Sequence, residues 1–299
     1  MWETLLAFAI WGSYGSVLTA AHIDPALTAV ARTAVLGILL TAASAVLLRL
    51  RGPREITAPI PWQSGTLWLS GAILLVDEVL YSVSAVSGPV AIIGLSYGSV
   101  PLVVPLVARL AGTEGSTPMR ARHWIFLALA FAGNGLIFFE LHAAHIRFTL
   151  AAVFALFAAL LFTLMPVCAA KLQESGLGSW AVLKSQGAAA AILTVPMLAL
   201  LVALGFVGLS GTHRTELVTR SIAVGAVNAV PFTLVPFYLW YRGIARCGVS
   251  RTSIGCFAEP LVATLFSLFI LKDAPATPPL LAGVAVVLGA IAASARIRE

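Results

Sequence analysis

The sequence predicts an all-α fold, a polytopic membrane bundle of ten transmembrane helices that form two inverted five-helix repeats. The first observation is composition: 60% of the 299 residues are hydrophobic, 10% are charged and the mean hydropathy is +1.00. A soluble domain carries roughly 25% charged residues. The second is that apolar runs of about 20 residues, the length that crosses a bilayer, recur between short polar breaks. The third is a short motif that occurs in both halves of the chain.

The apolar runs define ten predicted spans joined by short loops. They cover residues 2–21, 26–48, 65–85, 89–111, 123–140, 148–170, 180–207, 219–241, 251–271 and 278–295. The third span is the least apolar because it contains two acids, and the seventh is long enough to require a tilt in the membrane. The spans together predict a single membrane domain over residues 1–299, in contact with the lipid bilayer.

Basic residues predict the orientation, because cytoplasmic loops of membrane proteins are enriched in Lys and Arg. One set of loops holds 13 of the 18 Lys and Arg residues and the other set holds five. With an even number of spans, this bias places both termini in the cytoplasm, and we expect the cytoplasmic (inner) membrane as the location. The same loops account for the net charge of +6, so nucleic acid is not an expected partner.

A weak internal repeat relates the two halves. The tripeptide Pro-Leu-Val at 101–103 recurs at 260–262, an offset of 159 residues, and Glu114 aligns with Asp273 at the same offset. Five spans per half is an odd number, so the second half must be inverted. Inverted repeats are typical of carriers whose substrate site lies between the repeats near the membrane midplane. The repeats are predicted over residues 1–145 and 146–299.

Four features of the sequence form a recognisable pattern: Trp-Gly-Ser at 11–13, Arg32 near the start of the second span, the paired segments of the fourth and ninth spans, and the segment 239–273, which includes Glu259 before a proline. This pattern resembles that of the ten-helix EamA-type carriers of the drug/metabolite transporter superfamily. The chain departs from the family pattern at 272–273, where it has Lys-Asp in place of the usual Gly-Glu. The resemblance implies two interlocking repeats around a central cavity and export or exchange of amino acids, other small metabolites or drugs.

Ionisable residues at membrane depth are costly and mark functional positions. Asp77 and Glu78 lie near the middle of the third span and point about 100° apart, so we expect one to face a cavity and the other to contact a polar partner. Tyr81, one turn later, can share a face with either acid. The functional interpretation is a site for a substrate ammonium or a proton, and the structural one is a carboxylate that is protonated or hydrogen-bonded within the bundle. Arg32 is expected to pair with an acid or to reach the interface.

Glu259 is a further candidate, because Pro260 removes a helix hydrogen bond and such breaks survive in membranes where they are buried or line a cavity. The alternative is a structural ion pair of Glu259 with Arg251 or Lys184. The remaining candidates for substrate binding are polar or aromatic residues of the first, fourth and eighth spans, for which helix packing is the alternative: Trp11, Tyr14, Tyr97, Asn228 and Phe232.

The sequence predicts a secondary active transporter and not an enzyme. It contains no HExxH motif, nucleophile elbow or phosphate-binding loop, so a gradient must drive transport, with protons as a candidate coupling ion. We predict a small-molecule substrate and no catalytic residue, cofactor or metal ligand. The alternative is a membrane enzyme or flippase that acts on a lipid or polyprenyl phosphate, which predicts Arg and His side chains clustered beside a lateral opening.

Overall fold

Most residues of the chain are helical in the structure. It is a computed structural model that describes residues 2–51, 58–87, 90–113, 121–142, 150–207, 214–266, 268–269 and 277–296. No strand occurs within these ranges, so the all-α prediction is confirmed for them. The two acids of the repeat motif, Glu114 and Asp273, lie outside the described residues.

The described helices of the first half are α1 Trp2–Ala20, α2 Pro25–Arg51, α3 Gly65–Ser87, α4 Val90–Gly98, α5 Val100–Leu110 and α6 Ala121–His142. Those of the second half are α7 Leu150–Phe162, α8 Met165–Glu174, α9 Ser179–Ala203, α10 Arg214–Asn228, α11 Val235–Cys247, α12 Val249–Ser253, α13 Ala258–Phe266 and α14 Pro278–Arg296. A π-helical turn, Val230–Leu234, joins α10 to α11, and a 3-10 turn, Ile254–Phe257, joins α12 to α13.

Several helices have the length and composition of membrane spans. Within the described residues, four qualify alone: Pro25–Val46, Gly65–Ser87, Leu150–Glu174 and Ser179–Ala203. A fifth arises if Thr215–Asn228 and Val230–Cys247, which meet at an angle of 45°, form one bent span. Shorter apolar helices cover Val100–Leu110, His123–Leu136 and Pro278–Ala293. The described part of the chain is therefore an α-helical bundle with four or five full-length candidate spans, which indicates a membrane protein.

Several breaks between helices lie beside a proline, although Pro105 of α5 and Pro196 of α9 lie within helices that continue. The break expected beside Pro260 is present as the 3-10 turn before α13. The fourth predicted span divides in the same way at Ser99, whose hydroxyl donates to the carbonyl of Ser96 at 2.6 Å just before Pro101. Because proline has no N–H to donate, the helical ladder stops there and a turn takes its place. Hydropathy alone predicts continuous spans because it does not report these lost hydrogen bonds.

Small residues allow the closest helix contacts. A Cβ atom added to Gly37 of α2 would lie 2.5 Å from the carbonyl oxygen of Gly187 in α9, and one added to Gly12 of α1 would lie 2.5 Å from the carbonyl oxygen of Glu259 in α13. Helix association in lipid depends on such van der Waals contact, because lipid tails are as apolar as leucine. The contact at Gly12 places Trp11 and its neighbours beside Glu259.

Two clusters of buried side chains form the core. The smaller one joins α6, α14 and the 3-10 turn and includes Phe257 and Val287. The larger one joins α1, α3, α7, α9 and α11 and includes Phe8, Tyr14 and Trp240. Buried charged residues, which are rare inside membrane bundles, adjoin this larger cluster, so the candidate site lies there.

Candidate functional site

A small cavity lies among α1, α2, α3, α4, α7, α11 and α13. Its volume is about 20 Å³, which is room for about one water molecule. The side chains that line it are Trp11, Tyr14, Arg32, Asp77, Glu78, Tyr81, Tyr97, Phe162, Phe237 and Glu259. One guanidinium and three carboxylates therefore share an enclosure whose other walls are aromatic.

Arg32 of α2 and Glu78 of α3 form the ion pair of this cavity. The Nη2 atom of Arg32 contacts Oε2 of Glu78, and the two residues are 1% and 5% exposed. The guanidinium carbon also lies 4.0 Å from the centre of the Tyr14 ring, within the range of a cation–π contact. Burial of a guanidinium is costly unless it is paired, so Glu78 explains how Arg32 is tolerated at this depth. Of the two expectations for Arg32, pairing with an acid is the one found.

The other two carboxylates each accept a hydrogen bond from a tyrosine of a different helix. Tyr97 of α4 donates to Oδ1 of Asp77 in α3 at 2.6 Å. Tyr81 of α3 donates to Oε1 of Glu259 in α13 at 3.5 Å, a separation at the outer limit of hydrogen bonding. The first bond is therefore the stronger, and together the two connect α3 to α4 and α13.

Aromatic rings close the remaining sides. Phe162 of α7 stacks on Trp240 of α11 with ring centres 4.8 Å apart and planes 4° apart. The ring of Trp11 meets Phe162 and Phe237 edge-on at 5.9 and 4.9 Å. The indole N–H of Trp11 donates to the carbonyl of Phe232 at 2.8 Å, which fixes the orientation of the ring. Aromatic faces attract cations, so these walls add to the capacity of the carboxylates to bind a positive group.

Most of the residues predicted from the sequence meet at the cavity. Those that line it are Trp11, Tyr14, Asp77, Glu78, Tyr81, Tyr97 and Glu259. Phe232 lies behind the wall, where its ring packs against Tyr14 at 5.1 Å. Asn228 is buried at the end of α10 and is not part of the lining, and its amide nitrogen has no hydrogen-bond partner among the described residues.

The π-helical turn explains why Asn228 and Phe232 are separated from the site. The amide of Leu234 donates to the carbonyl of Ala229, five residues earlier, at 2.9 Å. A π-helical turn holds more residues than an α-helical turn, so positions four apart no longer share a face. A continuous α-helix over the predicted span 219–241 would place Asn228 and Phe232 on one face, but the π-helical turn interrupts it.

Both acids of α3 line the cavity, where the sequence led us to expect only one. Glu78 points toward α2 and Arg32, and Asp77 points toward α4 and Tyr97. The angle of about 100° between adjacent helix positions separates their partners, but the side chains of both acids line the cavity.

The alternative pairing of Glu259 with Lys184 is not found. Lys184 instead donates to the carbonyl of Ala58 at 2.6 Å, whereas Glu259 accepts from Tyr81. Lys184 lies in the first turns of α9, near the end of the bundle, whereas Glu259 opens α13 beside the cavity.

Three lining residues were not among the predicted site residues: Arg32, Phe162 and Phe237. A signal for Arg32 was present, since a charge within an apolar span is the same signal that selected Asp77 and Glu78. The two phenylalanines carry no such signal, because nothing in the sequence distinguishes them from the other members of a set of 15.

A wider pocket, of about 600 Å³, opens at one end of the bundle, and we call it the vestibule. Its lining comes from the segment that follows α5, from the end of α8 and the start of α9 with their connection, and from the end of α11 and the start of α12 with theirs: Thr113, Ala170, Gln173, Glu174, Leu177, Gly178, Ser179, Ile244, Ala245, Gly248 and Val249. Gln173 donates to the carbonyl of Tyr241 at 3.0 Å. Since Tyr241 follows Trp240, this bond links the vestibule to the aromatic wall of the cavity.

The cavity can bind groups of either charge. Arg32 can bind an anion, and the carboxylates can bind a cation or a proton. Although three acids line the cavity, no group of three His, Cys, Asp or Glu side chains in the described ranges is placed to hold a metal ion.

The fold of this chain occurs in a solved structure, whereas the searches with its sequence found no match. No family model matches it, and no curated protein matches it. A structure described only as "Crystal structure of protein" has a TM-score of 0.71 and 19% sequence identity, and the similarity covers 99% of this chain and 98% of that chain. At this identity the similarity concerns the fold alone, and it extends over the whole chain.

Proposed function

We propose that the protein is a secondary active transporter that exports or exchanges small metabolites by alternating access around the central cavity. The observation that carries the proposal is the burial of Arg32, Asp77, Glu78 and Glu259 around one cavity. Ionisable residues at membrane depth are costly and mark substrate or ion pathways. We include membership of the EamA-type carriers in the proposal, because Trp11, Arg32 and Glu259, which carry the resemblance, all line the cavity.

Contacts at one end of the bundle support ten crossings. Glu3 pairs with Arg242 and Arg246 at 3.2 and 3.0 Å, so the start of the chain lies beside the end of α11. The bond from Lys184 to Ala58 brings the α2–α3 connection to the start of α9. Since these segments carry the larger share of basic residues, we propose that this end, with both termini, faces the cytoplasm.

Contacts at the opposite end are consistent with the same path. The amide of Asp24, between α1 and α2, donates to the hydroxyl of Ser221 in α10 at 2.9 Å. The hydroxyl of Ser84, near the end of α3, donates to the carbonyl of Ala151, near the start of α7, at 2.8 Å. A chain that alternates between the two ends, with α4–α5, α7–α8, α10–α11 and α12–α13 each as one broken span, crosses ten times.

Helix packing supports the inverted repeat. Three contacts in the bundle have a counterpart: α3 with α7 corresponds to α11 with α1, α2 with α10 corresponds to α9 with α3, and α1 with α13 corresponds to α7 with α4. In each case, the counterpart is obtained by replacing both helices with the helices at the same positions in the other half of the chain. The motif prolines match as well, since Pro101 and Pro260 both lie within the first three residues of a helix that follows a break.

The size of the cavity fits a carrier that must open to bind. A volume of about 20 Å³ holds about one water molecule, so a metabolite enters only if the helices separate. Rocking of the two repeats supplies such a separation. We propose that the vestibule, which opens at the basic end, is the cytoplasmic approach to the site, and that the carboxylates carry the coupling protons.

The charges of the lining favour transport over the lipid-phosphate alternative. A phosphate site uses several basic side chains to bind the anion. Here the described lining offers one arginine beside three carboxylates, and that arginine already has Glu78 as its partner.

Reconstitution into liposomes tests the proposal. Purified protein is exposed to radiolabelled amino acids, nucleobases and cationic drugs, with and without a pH gradient and with unlabelled compound on the far side. We expect at least one class to exchange faster than in protein-free liposomes and to respond to the pH gradient. If no class moves above the protein-free rate, the protein is not this kind of carrier.

A further inference from the structure

We infer that the Arg32–Glu78 pair is the closed form of a site for a zwitterion, a substrate that carries both a carboxylate and an ammonium group. On binding, the substrate inserts between the two side chains. Its carboxylate replaces Glu78 on Arg32, and its ammonium replaces Arg32 on Glu78. The inference rests on the proposed transport function and names the substrate class of that site.

Arg32 has unused hydrogen-bond donors. The residue is 1% exposed, and its Nε and Nη1 atoms have no hydrogen-bond partner among the described residues. Buried polar atoms are rarely left unpaired in proteins. The guanidinium therefore has more donors than Glu78 satisfies, and the missing acceptor is a group that reaches the cavity.

The atom that Glu78 contacts explains why a ligand must displace it. A carboxylate binds a guanidinium most strongly through two parallel N–H bonds. The two edges of the guanidinium that permit this are Nε with Nη2 and Nη1 with Nη2, and Nη2 belongs to both. Because Glu78 contacts Nη2, it blocks both edges while leaving Nε and Nη1 free. An incoming carboxylate that binds through two bonds must take Nη2 from Glu78.

Insertion of a zwitterion leaves the buried charge balanced. Before binding, the guanidinium and the carboxylate neutralise each other, and afterwards each faces the opposite charge on the substrate. An amine alone would leave Arg32 without an anion, and an acid alone would leave Glu78 without a cation. A buried charge without a partner is strongly destabilising, so the site favours molecules that carry both groups.

The surroundings single out this pair among the charged groups of the cavity. Asp77 and Glu259 accept bonds from Tyr97 and Tyr81 at 2.6 and 3.5 Å, so those acids need no cation to satisfy them. The Tyr14 ring covers the guanidinium at 4.0 Å and stacks on Tyr81 at 5.8 Å. An apolar or aromatic group on the substrate would pack against these rings.

Binding in detergent solution tests the inference, because it avoids passive leakage of amines and acids through lipid. The probes are the proteinogenic amino acids, each with the amine and the carboxylic acid that share its side group, such as phenylalanine, phenethylamine and 3-phenylpropionate. The dissociation constant is obtained from the ligand-dependent rise in unfolding temperature. We expect at least one amino acid to bind, and its amine and acid to bind at least about 100-fold more weakly.

The double variant Arg32→Met with Glu78→Leu removes both charges together and leaves neither unpaired, so we expect the fold to be retained. We expect it to bind the amino acid at least about 100-fold more weakly than the wild-type protein. Arg246→Gln, which removes an arginine that pairs with Glu3 outside the cavity, is the matched control and should bind as the wild type does.

Three results would overturn the inference: an amine or acid that binds as well as its amino acid, a double variant that binds as the wild type does, or no binding by any amino acid. The comparison within the wild-type protein decides the question even if the double variant does not fold. If liposomes transport a cationic drug or a nucleobase while no amino acid binds, the proposed transport function stands and the zwitterion site alone is wrong. If nothing is transported, the proposed transport function is wrong, and the binding comparison alone decides whether the zwitterion site exists.

Discussion

The central cavity and the vestibule lie in one bundle but are built from opposite kinds of side chain. The cavity measures about 20 Å³ and contains four charged residues among aromatic rings. The vestibule measures about 600 Å³, and Glu174 is the one charged residue of its described lining. The ionisable groups are thus concentrated where water is scarcest, and each is neutralised or hydrogen-bonded by a residue of another helix. The structure of the cavity therefore depends on specific polar partners, whereas that of the vestibule depends on how the helix ends are placed.

The two regions meet at one turn of α11. Trp240 stacks on Phe162, which lines the cavity, and the carbonyl of the next residue, Tyr241, accepts a bond from Gln173, which lines the vestibule. A change of shape at either region can therefore reach the other through two adjacent residues. Substitutions on each side of this turn can test how far the two regions differ.

The largest difference is expected for a charge without its partner. Arg32→Met leaves Glu78 buried and unpaired, which should lower the free energy of unfolding by about 3–5 kcal/mol. Glu174→Leu in the vestibule should change it by less than about 0.5 kcal/mol. Denaturant unfolding in detergent measures both. Equal costs for the two variants would contradict the difference between the regions.

A smaller effect is expected from filling a close helix contact beside the cavity. Gly12→Ala places a Cβ atom 2.5 Å from the carbonyl oxygen of Glu259, and such overpacking should cost about 1–3 kcal/mol. Gly135→Ala in α6 is the matched control, because a Cβ atom there meets nothing within 4 Å. The control should be neutral or stabilising by up to about 1 kcal/mol. If both variants unfold at the same temperature, the close approach of α1 to α13 is wrong.

The tyrosine bonds of the cavity should contribute less than the ion pair. Tyr97→Phe removes the 2.6 Å bond to Asp77 and should cost roughly 0.6–1.7 kcal/mol, the range of interhelical hydrogen bonds in membranes. Tyr81→Phe should cost less, because its bond to Glu259 is 3.5 Å long. The order of the two unfolding temperatures checks the prediction, and the reverse order contradicts it.

The smallest effect is expected in the vestibule. Gln173→Ala removes the bond to the carbonyl of Tyr241 at 3.0 Å, but water in the open pocket can replace the lost donor. The free energy of unfolding should therefore fall by less than about 0.6 kcal/mol. A loss as large as that of Tyr97→Phe would indicate that the vestibule, like the cavity, depends on specific polar bonds.

The sequence predicts the fold class and most of the cavity lining for the same reason. In a chain with 10% charged residues, apolar runs and the acids inside them stand out, so the helices and residues such as Asp77 and Glu259 are visible without a structure. The hydrogen-bond partners of these acids cannot be identified from the sequence. That Tyr97 bonds Asp77, or that the π-helical turn separates Asn228 from the cavity, depends on how helices pack and where a ladder of hydrogen bonds breaks. Hydropathy contains neither kind of information.

The bonds made by α3 have a mechanical consequence. Within two turns, this helix is attached to α2 through Glu78, to α4 through Asp77 and to α13 through Tyr81. A helix bonded to three others cannot shift toward one of them without pulling on the other two. Force applied to any one of those helices is therefore shared by all of them, and α3 acts as a linkage that makes separate local movements of the bundle into a single one.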